Sequence, residues 1–326
     1  MKLYAHKWEE SMQRKITIIG AGSVGATIAY TLSQENTASE IVLIDINKQK
    51  VEGEVMDIAQ GTCFRDPINI IAGDYCDAVD SNIVIITSGM ARKPGQTRIE
   101  LTQTNVNILK DITPRIVKYA PNALYVIVSN PVDIMTYVFT KVSGLPENQV
   151  IGSGTALDSA RLRHGLSEYL GVAKKNIHAY VFGEHGDTSF VPWSCVRISG
   201  LPLESYISFL GDKGIQVEEF DKEEVINYVR KSGGMIIKNK GATYYAIAVT
   251  VCKLVSFLTA ASDSITTVSS MMHGEYGIED VCISTQTLIG PNGVKGKLPM
   301  PMTEMEIEKL RASADALKAV IAEIEL

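Results

Sequence analysis

Residues 15–25, KITIIGAGSVG, carry a short β-branched apolar run straight into Gly20-x-Gly22-x-x-Gly25, and the chain continues as ATIAYTLSQ, whose apolar residues recur at helical spacing. Few folds accommodate a strand that turns this tightly into a helix. Gly20 permits the turn, Gly22 lets the backbone approach a ligand, and Gly25 lets the helix pack close to the sheet. The helix N-terminus then offers free N–H groups and the positive end of its dipole to an anion such as a pyrophosphate. With 26 glycines in the chain this spacing also arises by chance, so the flanking strand and helix carry the reading. EIVLID (40–45), NIIAG (69–73), NIVIITS (82–88) and LYVIVSN (124–130) are further apolar runs, with helical segments such as KVEGEVMDIAQ and 99–119 between them. Strands that are apolar throughout and alternate with helices predict an α/β fold, a Rossmann-type doubly wound parallel sheet.

Near residue 150 the pattern changes. NIHAYVF and SCVRIS read as strands of a different sheet, SITTVSSMM and VCISTQTLIG alternate in the antiparallel manner, and long helical segments separate them. The expected organisation is therefore a tail (1–14), a nucleotide-binding domain (15–150) and an α+β substrate domain with antiparallel strands (151–326). The last helix should begin at Thr303, with Glu306 completing its cap. Asp45 ends the second strand, twenty residues after Gly25. A carboxylate there accepts hydrogen bonds from a ribose 2′-OH and repels a 2′-phosphate, which points to NAD rather than NADP.

Composition narrows the partners. A net charge of −6 over 326 residues argues against nucleic acid. No run reaches the ~18 apolar residues of a membrane span. The five cysteines are scattered without metal or disulfide spacing, as expected of thiols in a reducing cytoplasm. The tail lacks the apolar core of a secretory signal.

Of the five histidines, His185 sits in GEHGDT, a polar turn after an apolar run. LDSARLR places Asp158 and Arg161 three residues apart, on one helix face. Reducing a carbonyl by hydride transfer needs a proton donor, and an imidazolium backed by a carboxylate serves. A 2-oxo acid also needs a guanidinium to grip its carboxylate with two parallel hydrogen bonds, and a further cation near the carbonyl oxygen. His185, Asp158, Arg161 and Arg98 match those parts. The competing reading of each is an ordinary surface or ion-paired residue.

Together GAGSVGA, IVLIDI, GQTR, VIVSNPVDI, GSGTALDSARLR, GEHGD and KGATYYAIA resemble, in this order, the L-lactate dehydrogenases of the lactate/malate dehydrogenase superfamily, over essentially the whole chain from residue 15. The resemblance implies His185 as proton donor, Asp158 as its partner, Arg161 on the substrate carboxylate, and Arg98, on a closing loop, polarising the carbonyl. Asn130 would contact the carbonyl and help place the nicotinamide, Asn130-Pro131 is a candidate cis peptide, and Thr243 would line the pocket. It also implies a homotetramer and, where Arg163 and His178 match positions of allosteric relatives, binding of fructose 1,6-bisphosphate across a subunit interface.

One residue departs from the pattern. Six positions before Arg98, where lactate dehydrogenases usually carry Gln and malate dehydrogenases Arg, this chain has Arg92, although Glu184 and Thr243 look lactate-type. An inward Arg92 would leave pyruvate with an unpaired cation beside a methyl group, so it favours oxaloacetate/L-malate. The alternative is pyruvate/L-lactate with Arg92 turned to solvent. A remoter alternative is a nucleotide-binding regulatory protein without catalysis, against which the complete His185, Asp158, Arg98 and Arg161 set argues.

Overall fold

A computed structural model describes residues 14–35, 37–91, 95, 97–215 and 221–326. The predicted tail, apart from Arg14, and Arg92 lie outside the described residues.

The first half runs β1 (Lys15–Ile19), α1 (Ser23–Gln34), β2 (Glu40–Ile44), α2 (Lys48–Gly61), β3 (Asn69–Ala72), β4 (Ile83–Ile86), α3 (Arg98–Tyr119), β5 (Leu124–Ile127), α4 (Val132–Ser143) and β6 (Val150–Gly152). These six strands are all parallel, in the order β3-β2-β1-β4-β5-β6. The reason is visible in β4, every residue of which is buried. Successive side chains point to opposite faces. Ile83 and Ile85 pack into a layer with Ile28 and Leu32 of α1, while Val84 and Ile86 pack into one with Val106 and Leu109 of α3. A strand covered on both faces has no use for polar alternation.

The second half runs α5 (Ala156–Leu170), β7 (Ile177–His178), β8 (Arg197–Ile198), β9 (Leu201–Pro202), α6 (Leu203–Asp212), α7 (Lys222–Lys240), α8 (Tyr245–Leu258), β10 (Ser264–His273), β11 (Glu279–Gly290), β12 (Gly293–Lys297) and α9 (Glu304–Glu323). The antiparallel strands β10, β11 and β12 do not form a sheet of their own. β10 pairs with β6 through Ser269 and Gly152, so all nine strands form one sheet, β12-β11-β10-β6-β5-β4-β1-β2-β3. The predicted boundary near residue 150 therefore falls on β6, inside a continuous sheet. β6 offers a free edge once β5 has paired its other side, and β10 covers it. α8 packs on α1 across this seam, with Val251 and Val255 in the layer that holds Ile28 and Leu32.

NIHAYVF and SCVRIS do belong to a separate sheet, β7-β8-β9, but each shrinks to a two-residue ladder. Beyond His178 the chain dives into the interior. Ala179, Val181 and Phe182 are buried, Phe182 bridges Phe190, and Gly183 bridges Ser284 of β11. Those bridges hold the turn that carries His185. α9 begins as expected, with Thr303 and Glu306 forming a reciprocal cap. No described helix is long and apolar enough to cross a membrane.

Candidate active site

The glycine turn has the shape its spacing demands. Gly20 has φ +110°, and a Cβ there would stand 2.6 Å from the Thr87 Oγ1; a Cβ on Gly25 would stand 1.8 Å from the Gly20 carbonyl oxygen. Both positions exclude any side chain. Gly22 is different, because a Cβ there would meet nothing within 4 Å. Gly22 is also the N-cap of α1, with no side chain bonded to the first-turn N–H groups and no acidic residue in that turn. Open space above uncapped N–H groups fits the pyrophosphate of a dinucleotide. Asp45 closes the back of the turn, its Oδ2 accepting from the Ala21 N–H at 2.7 Å and its Oδ1 from the Asn47 N–H at 3.0 Å.

Next to the turn lies a cleft of about 480 Å³. It lies beyond the C-terminal ends of the parallel strands, where such sheets receive ligands. Val24, Thr87, Asn130, Asp158, Arg161, His185, Arg230 and Thr243 are among its lining residues. Asn130, Asp158, Arg161, His185 and Thr243 thus converge from the turn after β5, from α5, from the turn after Gly183 and from the segment between α7 and α8. The Asn130–Pro131 peptide is cis.

Asp158 ties the centre together. Its Oδ2 lies 2.6 Å from His185 Nδ1, and its Oδ1 accepts from Arg161 Nη1 at 3.0 Å. The i,i+3 spacing on α5 produces the second contact directly. Burial alone would raise the Asp158 carboxyl, but the neighbouring His185 and Arg161 outweigh it and hold the group below its usual range. The same contact, chiefly through the charge of Asp158, pushes His185 up to about 9 against the opposition of burial. The imidazole is therefore cationic at neutral pH. With Nδ1 held by Asp158, Nε2 is the nitrogen left to serve a substrate.

Arg98 differs from its expected place. It is the first residue of α3 rather than a loop residue, because Thr97 and Glu100 cap the helix reciprocally just before it. Its Nη2 pairs with the buried Glu184 Oε2 at 3.4 Å, its side chain is 49 % exposed, and it is not among the residues lining the cleft. Glu184 immediately precedes His185, so this pair parks a guanidinium beside the imidazole turn. Arg163 lies on α5 with its Nε donating to the Ser159 carbonyl, and His178 is exposed on β7.

Two polar residues escaped the sequence reading. Buried Asn105 of α3 accepts from the Met90 N–H at 2.7 Å and donates to the Asn130 carbonyl at 2.8 Å, joining the start of the 89–98 segment to the cis turn. Asp133 accepts from the His185 N–H at 2.7 Å. The available signal was a polar residue at a position among apolar ones, Asn105 with Val106 and Leu109 in one case and Asp133 with Val132 and Ile134 in the other.

Comparison with known proteins gives a consistent picture. Residues 14–152 match the family described as lactate/malate dehydrogenase, NAD binding domain, and residues 155–325 the one described as lactate/malate dehydrogenase, alpha/beta C-terminal domain. The chain is 46% identical over 312 residues to an L-lactate dehydrogenase of a Thermoanaerobacter species, covering 96% of this chain and 99% of that one. It is 46% identical to the L-lactate dehydrogenase of Acetivibrio thermocellus over 96% of this chain and 98% of the relative. Among solved structures, an L-lactate dehydrogenase from Clostridium thermocellum superposes with a TM-score of 0.84 at 42% identity, covering 96% of this chain and 100% of the other. A lactate dehydrogenase from a deep-sea metagenome superposes with a TM-score of 0.90 at 35% identity, covering 95% and 98%.

Proposed function

Since this chain belongs to the lactate/malate dehydrogenase family, an oxidoreductase family with NAD as cofactor, we propose that it interconverts pyruvate and L-lactate. The observation that carries the reading is the His185–Asp158–Arg161 array in one cleft beside the glycine turn. Its relatives' name supplies the substrate. Residues 15–150 hold NAD and residues 151–326 supply most of the substrate contacts. Bound NADH supplies the hydride. Arg161 grips the substrate carboxylate in a bidentate pair and fixes the carbonyl carbon's orientation. His185 gives its Nε2 proton to the carbonyl oxygen as charge develops there, and Asp158 stabilises the cation before transfer and holds the ring afterwards. Arg98 leaves Glu184 and adds positive charge at that oxygen, while Asn130 and Thr243 shape the pocket. In the reverse direction neutral His185 takes the hydroxyl proton. The homotetramer and the fructose 1,6-bisphosphate site at Arg163 and His178 are supported by family resemblance and by those two matching positions.

Arg92 favours a second reading, oxaloacetate/L-malate. Initial rates of NADH oxidation with the two 2-oxo acids separate them. Pyruvate is expected to show the higher kcat/KM. If oxaloacetate leads by tenfold or more, a difference of only about 1.4 kcal/mol, then Arg92 selects the distal carboxylate and Arg92→Gln should reverse the order. No turnover with either would remove the enzymatic reading.

Asp45 makes a cofactor prediction. A 2′-phosphate brought against this carboxylate meets like charge, which costs several kcal/mol. NADH should therefore outperform NADPH in kcat/KM by at least about 10²-fold, and Asp45→Ser should narrow the gap. Equal use of the two cofactors by the unaltered enzyme would deny Asp45 that role.

A further inference from the structure

Asp133 stands behind the His185 turn rather than in the cleft. It is the second residue of α4 and is 3 % exposed, and its Oδ2 takes the His185 main-chain N–H at 2.7 Å. Its Oδ1 makes no well-formed hydrogen bond, and the Ser269 hydroxyl on β10, which has no other partner among the described residues, is the group beside it that favours the anion. Burying a carboxylate with so little hydrogen bonding is expensive, and an apolar residue would fill the space at less cost. Its position suggests what the carboxylate does instead. α4 starts at the cis Asn130–Pro131 peptide, so Asp133 joins the turn that carries Asn130 to the turn that carries His185. The imidazole consequently has one carboxylate at Nδ1, from Asp158, and a second behind its own main chain.

We propose that Asp133 is a positioning residue for the proton donor, fixing the His185 backbone against the Asn130 turn and, as an anion, helping to keep the imidazole protonated. The inference rests on the role assigned to His185 above. The charged groups acting on His185 are Asp158, Asp133 and Arg161; those acting on Asp133 are His185 and Glu184, with the Ser269 hydroxyl beside it. Burial pushes the Asp133 carboxyl up to about 6, with Ser269 and His185 pulling the other way, and His185 titrates at about 9. Between those values Asp133 is an anion and His185 a cation, and each charge favours the other. Removing the negative charge must move the His185 midpoint down.

Asp133→Asn keeps an acceptor oxygen for the His185 N–H and removes the charge. The test titrates the ring nitrogens of His185 by NMR in the full chain, assigned by the signal lost in His185→Asn, alongside the pH profile of 2-oxo acid reduction. In Asp133→Asn the His185 midpoint should fall by about one pH unit in both measurements. Its KM for the 2-oxo acid below that midpoint should change less than about twofold, since substrate contacts are untouched. Asp133→Ala, which also frees the main chain, should lower kcat further. A folded Asp133→Asn protein with an unmoved His185 midpoint overturns the proposal. Should that variant not fold, Ser269→Ala is read instead. Loss of a hydroxyl that favours the anion should raise the acid-side midpoint seen at His185, and a His185 signal with no acid-side step in either protein overturns the proposal equally. The NMR arm requires no turnover, so it stays readable even if neither pyruvate nor oxaloacetate is a substrate, and the two failures are distinct.

Discussion

Replacing His185 with asparagine should slow 2-oxo acid reduction by about 10²–10⁴-fold, the usual contribution of a positioned general acid, while leaving NADH binding intact. Binding measured by the quenching or enhancement of NADH fluorescence should be unchanged, because the glycine turn and Asp45 do not touch this residue. The pH dependence of the unaltered enzyme gives the sharper check. His185 titrates at about 9, raised chiefly by Asp158. Reduction consumes the imidazolium, so its rate should be level through neutrality and decline as pH rises through about 9. Oxidation of the hydroxy acid needs the neutral ring and should climb over the same interval. Asp158→Asn removes the main cause, so the midpoint should fall back toward the ordinary histidine value of ~6.5, and reduction at pH 8 should then be slow for want of protonated histidine. The same linkage bears on stability. A histidine whose folded pKa exceeds its unfolded one contributes stability that is fully present below the unfolded value and is lost as pH rises through about 9. A midpoint for reduction near 6.5 in the unaltered enzyme would deny Asp158 its hold on the imidazole, and a His185→Asn enzyme of undiminished rate would remove His185 from proton transfer.

The parts of this site that the sequence made legible are those fixed by local chemistry. A strand entering Gly20-x-Gly22-x-x-Gly25 fixes the turn because a Cβ at Gly20 or Gly25 would collide with Thr87 or with the Gly20 carbonyl. Asp158 and Arg161 meet because a helix brings i and i+3 together. The Thr303 and Glu306 cap is equally local, and so was one feature that the reading passed over: Thr97-x-x-Glu100 carries the same signature and starts α3 at Arg98. What the pattern did not disclose depends on partners distant in the chain. The antiparallel strands extend the parallel sheet because β10 finds the free edge of β6, a pairing between Ser269 and Gly152 that alternation within either strand cannot specify. The NIHAYVF segment departs from strand geometry because Phe182 and Gly183 bridge Phe190 and Ser284 instead of extending β7. Asn105 and Asp133 look like blemishes on apolar helices until Asn130 and the His185 turn are brought against them.

Arg161→Gln should be the most damaging change to substrate use that leaves the proton donor in place. Arg161 is 13 % exposed at its side chain, contacts Asp158 through Nη1 and is among the residues lining the cleft. Two charge-assisted hydrogen bonds to a substrate carboxylate contribute about 1.5–3 kcal/mol each, so their loss should lower kcat/KM by about 10²–10⁴-fold, mostly as a rise in KM. Arg161→Lys restores the charge but not the planar fork, and should recover only part of the loss. The change has a second consequence, opposite in sign to that of Asp158→Asn. Arg161 opposes protonation of His185, and it also shares the Asp158 carboxylate with it. Without the guanidinium, Asp158 acts on the imidazole alone, and the His185 midpoint should move above 9. The two substitutions therefore shift the alkaline limb of reduction in opposite directions, although their side chains lie 3.0 Å apart. A general loosening of the site would shift both the same way or neither. If Arg161→Gln left KM for the 2-oxo acid unchanged and the alkaline limb where it was, Arg161 would be a structural partner of Asp158 only, and the carboxylate would have to be held by another cation, of which Arg230 also lines the cleft.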